Sequence, residues 1–171
     1  MRITIARKVE VRLWLAACVV SVLPDADAIL HWLGVSYWHP MGHRGFSHSL
    51  ALAAIVAGAL TVWLFRERGW RVFLFLFVVG ASHGVLDAMT DGGLGIAFFA
   101  PFDNTRLFLP WRPLLVAPIG LAPFFSDYGV KVVLSEFVHV WLPLAGSLLV
   151  VETIRRTRAG MEPAGGGEDR G

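Results

Sequence analysis

Four stretches of this chain are almost continuously apolar, and short polar or Pro/Gly-rich interruptions separate them. Leu13 to Leu23 follows a basic start (Arg2, Arg7, Lys8, Arg12) and runs into Pro24-Asp25-Ala26-Asp27. Ser49 to Phe65 has no ionisable residue, and Trp70 to Val79 continues through His83 and Asp87 to Thr90. Lys131 to Val151 carries Glu136 and His139 within an otherwise apolar run. About 20 apolar residues cross a bilayer as a helix, so each stretch reads as a transmembrane crossing. The first extends from about Val11 to His31, with Pro24 kinking or interrupting it. Its basic start, short apolar core and Ala26-Asp27-Ala28 also fit a signal peptide. The helix is the preferred reading, because cleavage would discard two acids that the rest of the chain can use.

The expected fold is therefore all-α: a multi-pass transmembrane bundle of about four crossings. One membrane-embedded domain covers 1–154, and a polar, Gly-rich tail over 155–171 is expected to be disordered and cytoplasmic. Asp91 to Asp127 is a long outer loop rich in Pro and Gly, and loops of that length are usually functional. Its apolar parts, Leu94 to Phe102 and Leu114 to Phe125, give it re-entrant character. Trp32, Tyr37, Trp38, Trp63 and Trp70 fit interfacial aromatic belts.

Composition supports a membrane class. Of 171 residues, 56% are hydrophobic and only 16% charged. Cys18 is the single cysteine, which rules out an internal disulfide and a cysteine-built zinc site. No nucleic-acid motif is present. Charge sets the orientation: with the N-terminus inside, Arg44, Arg106, Arg112 and Lys131 are the outer four of 15 lysines and arginines. That bias obeys the positive-inside rule.

This topology gathers chemistry at one depth. Asp25 and Asp27 end the first crossing, and His43 and His48 precede the second. His83 and Asp87 end the third, four residues apart and so on one helix face. Glu136 and His139 lie in the outer half of the fourth. The inner halves are nearly free of ionisable groups, and such groups inside a membrane usually face one another and mark function. Mixed imidazole and carboxylate ligands suit zinc, with manganese or iron as alternatives. Six candidate ligands suit two ions and a hydrolytic displacement at an ester or phosphoester. Glu136 is a candidate for a further ligand or for the general base. Arg44, Arg106 and Arg112 can hold a phosphate, and His139 joins the substrate-binding candidates. A lipid or lipid-linked substrate follows from a site at headgroup depth. His31 and His39 read as ordinary packed histidines. The rival function is a metal-binding or metal-transporting protein without catalysis; a transporter should carry ionisable groups towards the midplane and inner side. A third is a set of ion pairs that only ties the helices together.

Leu23-Pro24-Asp25-Ala26-Asp27, His43-Arg44-Gly45-Phe46-Ser47-His48-Ser49 and Ser82-His83-Gly84-Val85-Leu86-Asp87-Ala88-Met89-Thr90-Asp91-Gly92-Gly93 together resemble the bacterial inner-membrane, predicted metal-dependent hydrolases of the LexA-regulated type. Ala100-Pro101-Phe102, Arg106, Pro110-Trp111-Arg112-Pro113 and Ser135-Glu136 extend the resemblance. It implies a multi-pass helical protein with a divalent-metal site whose ligands are Asp25, Asp27, His43, His48, His83 and Asp87. Members of that family usually begin with a further helix bearing a Thr-His motif, and no such histidine precedes Arg12 here. The His-x-x-x-Asp element is also similar to that of zinc-dependent phospholipase C and related nucleases.

Overall fold

The computed structural model describes residues 2–161. Among them the regular structure is helical, with only two isolated β-bridges in the outer loop, Thr90 to Leu114 and Ile96 to Leu107. Helix α1 spans Arg2–Val22. Pro24 stops it, and a 3₁₀ turn over Leu23–Asp27 leads into the short α2, Ala28–Trp32. Proline is tolerated there because the first turn has no use for its missing N–H. Helix α3 is Leu50–Leu64 and α4 is Gly69–Ala88, joined by the basic turn Arg66–Arg68. Gly69 makes that reversal possible with φ +47°.

Helices α1, α3 and α4 form the packed core. Ala16, Ala17 and Val20 of α1 meet Ala57 of α3 and Val72 and Leu76 of α4, all buried. Small side chains matter here because apolar lipid offers no hydrophobic drive, so close backbone approach must supply the attraction. Gly80 marks the tightest crossing: a Cβ there would lie 3.0 Å from Val20 Cγ1 and 3.4 Å from Ala53 Cβ. Gly80→Leu is accordingly expected to cost about 1–3 kcal/mol by overpacking. Thermal unfolding in detergent measures this against Gly146→Leu, where nothing lies within 4 Å.

The C-terminal segment is one long rod. A four-residue helix α5 (Leu121–Phe124) precedes α6, Asp127–Glu136, whose cap is Ser126, accepting from the Gly129 N–H. A π-helical turn, Phe137–Trp141, then joins α6 to α7, Leu142–Met161. The rod makes no direct helix-to-helix packing with α1, α3 or α4 among the described residues. The outer loop holds it instead: the Leu115 N–H donates to Ser135 Oγ at 3.1 Å and the Tyr128 hydroxyl to Val116 O at 3.1 Å. Helix α7 continues past Arg155, where the sequence leads one to expect a disordered tail. Arg156 and Arg155 pair with Glu152 at 2.8 and 3.7 Å, extending the helix by spacing-matched charges. Residues 162–171 of that tail lie outside the described residues.

Three helical segments are long and apolar enough to cross a membrane: Val11–Trp32, Arg66–Ala88 and Asp127–Arg158. The fourth apolar run forms the shorter α3. The outer loop lies against the helix ends, with the Leu50 N–H on Phe98 O, Ala97 N–H on Arg44 O and Leu109 N–H on Ala88 O. Ile96 and Ala100 of the loop are fully buried.

Candidate metal centre

Asp25 and Asp27 sit two residues apart in a 3₁₀ turn, where each residue advances about 120°. They therefore face different ways. The Asp27 side chain is 2% exposed and that of Asp25 56%. A second 3₁₀ turn, Phe46–His48, delivers His48 just before α3. Ser47 donates its hydroxyl to Asp27 Oδ2. The cap of α3 is Ser49, whose Oγ accepts from the Leu52 N–H at 3.1 Å. His83 and Asp87 lie one turn apart on α4, as their spacing requires.

Four atoms converge: Asp25 Oδ1, His48 Nε2, His83 Nε2 and Asp87 Oδ2. They lie within 4.8 Å of one another. His48 Nε2 is 3.2 Å from Asp87 Oδ2 and 3.6 Å from Asp25 Oδ1; His83 Nε2 is 3.4 Å from Asp25 Oδ1 and 3.9 Å from Asp87 Oδ2. Despite these separations, both imidazole nitrogens are buried and without a hydrogen-bond partner. Nitrogens and oxygens that crowd together without hydrogen-bond geometry point at a common centre. Zinc bonds of 2.0–2.1 Å at tetrahedral angles put ligand atoms about 3.3 Å apart, close to three of the four distances. The donor set and the two orphaned nitrogens thus fit a divalent ion.

The remaining polar groups hold this cluster in shape. Asp27 and His43, expected as ligands, turn towards each other: His43 Nδ1 lies 2.5 Å from Asp27 Oδ1. Asp27 Oδ2 takes the Arg44 N–H at 3.1 Å and faces His48 Nδ1 at 3.2 Å. Both Asp27 oxygens are therefore engaged away from the four-atom centre, which gathers ligands for one ion where the sequence suggested two. Asp27 instead fixes the ring of His48, the usual task of a carboxylate behind a metal-binding imidazole. Burial alone would depress His48, but Asp25, Asp27 and Asp87 outweigh it and push its pKa up to about 10. The carboxylates thus favour positive charge at this point.

Arg44, a phosphate-holding candidate from sequence, is buried, and its side chain braces the cluster. Its φ of +64° is left-handed, which is unusual for a non-glycine residue. That turn sends its N–H to Asp27 and its guanidinium to Asp87 Oδ1 (3.2 Å), Thr90 Oγ1 (3.0 Å) and Gly92 O (3.0 Å). Gly93 makes room, since a Cβ there would lie 2.7 Å from Arg44 Nη1. Arg106 donates to the carbonyls of His43, Tyr37 and His39 at 2.9, 2.8 and 3.3 Å. Irregular backbone near membrane depth needs such internal partners. Arg112 lies over the Phe108 ring, and His139 Nδ1 takes up the Ser135 carbonyl beside Trp111.

A cavity of about 220 Å³ opens beside the cluster. Asp25, His83, Asp87, Thr90 and Glu136 form its polar side, and Leu86, Leu114, Val140 and Trp141 its apolar side. Arg44, Arg106, Arg112 and His139 are not on its walls. Thr90 and Trp141 escape a reading of the sequence. Thr90 is the threonine of the Met89-Thr90-Asp91-Gly92-Gly93 run, whereas no sequence signal marks the π-turn that carries Trp141 to the cavity.

Membrane-length helices around an internal cluster of histidines and aspartates define a helical integral membrane protein with a polar site at one end of its bundle. The chain belongs to the YdjM inner membrane protein family, whose profile matches residues 2–159. It is 40% identical over 145 residues to the inner membrane protein YbcI of Escherichia coli (strain K12), covering 81% of each chain. No solved structure matches it. The inner-membrane setting that the resemblance implies agrees with both relationships.

Proposed function

We propose that this protein is a multi-pass, metal-dependent hydrolase of the inner membrane, acting at the outer, periplasm-facing side on an ester or phosphoester of a lipid or lipid-linked molecule. In this reading α3 is the fourth crossing. The observation that carries it is the convergence of Asp25, His48, His83 and Asp87, with two buried imidazole nitrogens lacking partners, at the edge of a cavity. These four residues would hold the ion, zinc first by donor type and manganese or iron otherwise. A divalent ion supplies a lowered water pKa and a polarised ester oxygen.

The chain's own groups then have distinct tasks. Asp27 and Ser47 fix His48, and Arg44 holds one oxygen of Asp87 so that the other faces the centre. His83 Nε2 and Asp87 Oδ2, the two ligand atoms from α4 that line the cavity, are 3.9 Å apart. This separation exceeds the tetrahedral spacing, so a further ligand can enter from that side. Glu136 lies on the other cavity wall, where it can take a proton from water and return it to the leaving oxygen.

Elemental analysis of detergent-purified protein tests the reading. Wild type is expected to carry about one equivalent of zinc, manganese or iron, and His83→Ala to lose it while retaining its helical circular dichroism. Wild type that stays at background after growth with added metal would leave the cluster as helix-tying ion pairs and overturn the hydrolase.

A further inference from the structure

We propose that the cavity admits a neutral acyl ester sideways from the bilayer, its ester group beside His83 and Asp87 and its chain between Leu86 and Trp141. This deepens the hydrolase reading and rests on it for the reaction, though not for the binding.

The argument starts from the cavity walls. One wall is α4, with His83 and Leu86; the other is the π-turn of the C-terminal rod, with Val140 and Trp141. These two membrane-length segments do not pack directly on each other. Leu114, Leu115 and Ala117 of the loop also line the space. An opening between two separated membrane-length spans faces lipid. Its rim is apolar and exposed, with Leu86 on α4 and Trp141, Phe137 and Leu144 on the rod. Size agrees: ligand pockets that enclose a whole small molecule run to about 300–1,000 Å³, and this one is about 220 Å³. It can take the ester end of an amphiphile, while the chain stays in the bilayer.

Charge decides the head group. The ionisable side chains on the cavity wall are Asp25, Asp87, Glu136 and His83. No arginine or lysine is among them, because Arg44 and Arg106 are committed to Asp87 and to backbone carbonyls and Arg112 lies over Phe108. Three carboxylates outweigh one divalent ion, so an anionic phosphate meets net repulsion and an uncharged carboxylic ester does not. In hydrolysis of such an ester, water oxygen bonds to the carbonyl carbon and the C–O bond to the alcohol breaks. Glu136 carries the water's proton to the departing oxygen, leaving a fatty acid and an alcohol.

The test is photolabelling of the full-length protein in phosphatidylethanolamine/phosphatidylglycerol nanodiscs. The probe is a monoacylglycerol with a diazirine in its acyl chain, and zinc is measured on the same sample. Labelling is expected at Leu86 or Trp141, displaced at least fivefold by unlabelled monoolein and little by dodecyl phosphate. Val140→Trp, which fills the gap, should lower it at least fivefold, and Leu149→Trp on the exposed side of α7 should not. Labelling that monoolein fails to displace, or that dodecyl phosphate displaces as well, overturns the inference. Displaceable labelling without zinc supports the lipid site and sinks the hydrolase; zinc without displaceable labelling does the reverse.

Discussion

Asp27→Ala is expected to lose both metal and fold, whereas Asp25→Ala should lose metal alone. The Asp27 carboxylate is 2% exposed and meets His43, the Arg44 N–H, Ser47 and His48. Removing it strands one buried imidazole and one buried N–H in a setting that water cannot reach. Breaking a buried charged pair by deleting one partner costs about 3–5 kcal/mol, a large share of the stability of a small domain. Asp25 has the opposite setting. Its side chain is 56% exposed and its charged partners among the described residues are His48 and His83, so its loss leaves the helices packed. Denaturation in mixed micelles, read by circular dichroism, should place Asp27→Ala several kcal/mol below Asp25→Ala, with zinc absent from both. Equal stability of the two variants would mean that Asp27 is not the central acceptor.

Arg44 should separate metal affinity from assembly. Arg44→Lys keeps the backbone N–H on Asp27 and one positive charge, but one ammonium cannot reproduce the planar fork that reaches Asp87, Thr90 and Gly92 together. With Asp87 free to rotate, zinc affinity is expected to fall about 10–100-fold, as for other lost supports of metal ligands. Competition against a chelating dye reads this directly. Arg44→Ala removes the charge from a nearly closed space and should also lower stability by about 3–5 kcal/mol. Unchanged zinc affinity in Arg44→Lys would show that Asp87 keeps its orientation without the fork.

These expectations show where sequence reasoning reached and where it stopped. The apolar runs are visible because a bilayer imposes a length, and Pro24 is visible because it lacks an N–H. His83 and Asp87 are readable as partners because four residues is a helical repeat. Asp25 and Asp27 are not separable from sequence, since the choice of which faces the centre depends on a 3₁₀ turn rather than an α-helical one. Ser47 and Ser49 pose the same problem: either can cap a helix, and the one that does is decided by the turn that presents His48. Arg106 is the clearest case. A basic residue in an outer loop suggests headgroups or phosphate, but its partners are three carbonyls contributed by residues more than sixty positions earlier. Only the folded loop brings them together.

Helix α3 has a mechanical consequence. Its 15 residues rise only about 22 Å, against a hydrocarbon core of about 30 Å. The irregular His43–Ser49 segment stands where its outer turns would otherwise be. With α3 as the proposed fourth crossing, the bilayer must pinch inwards beside it to match its length. The dimple falls on the α3 side of the bundle, so headgroups and interfacial water stand lower there than around the longer spans. Thicker membranes would have to be deformed further to seat the same chain.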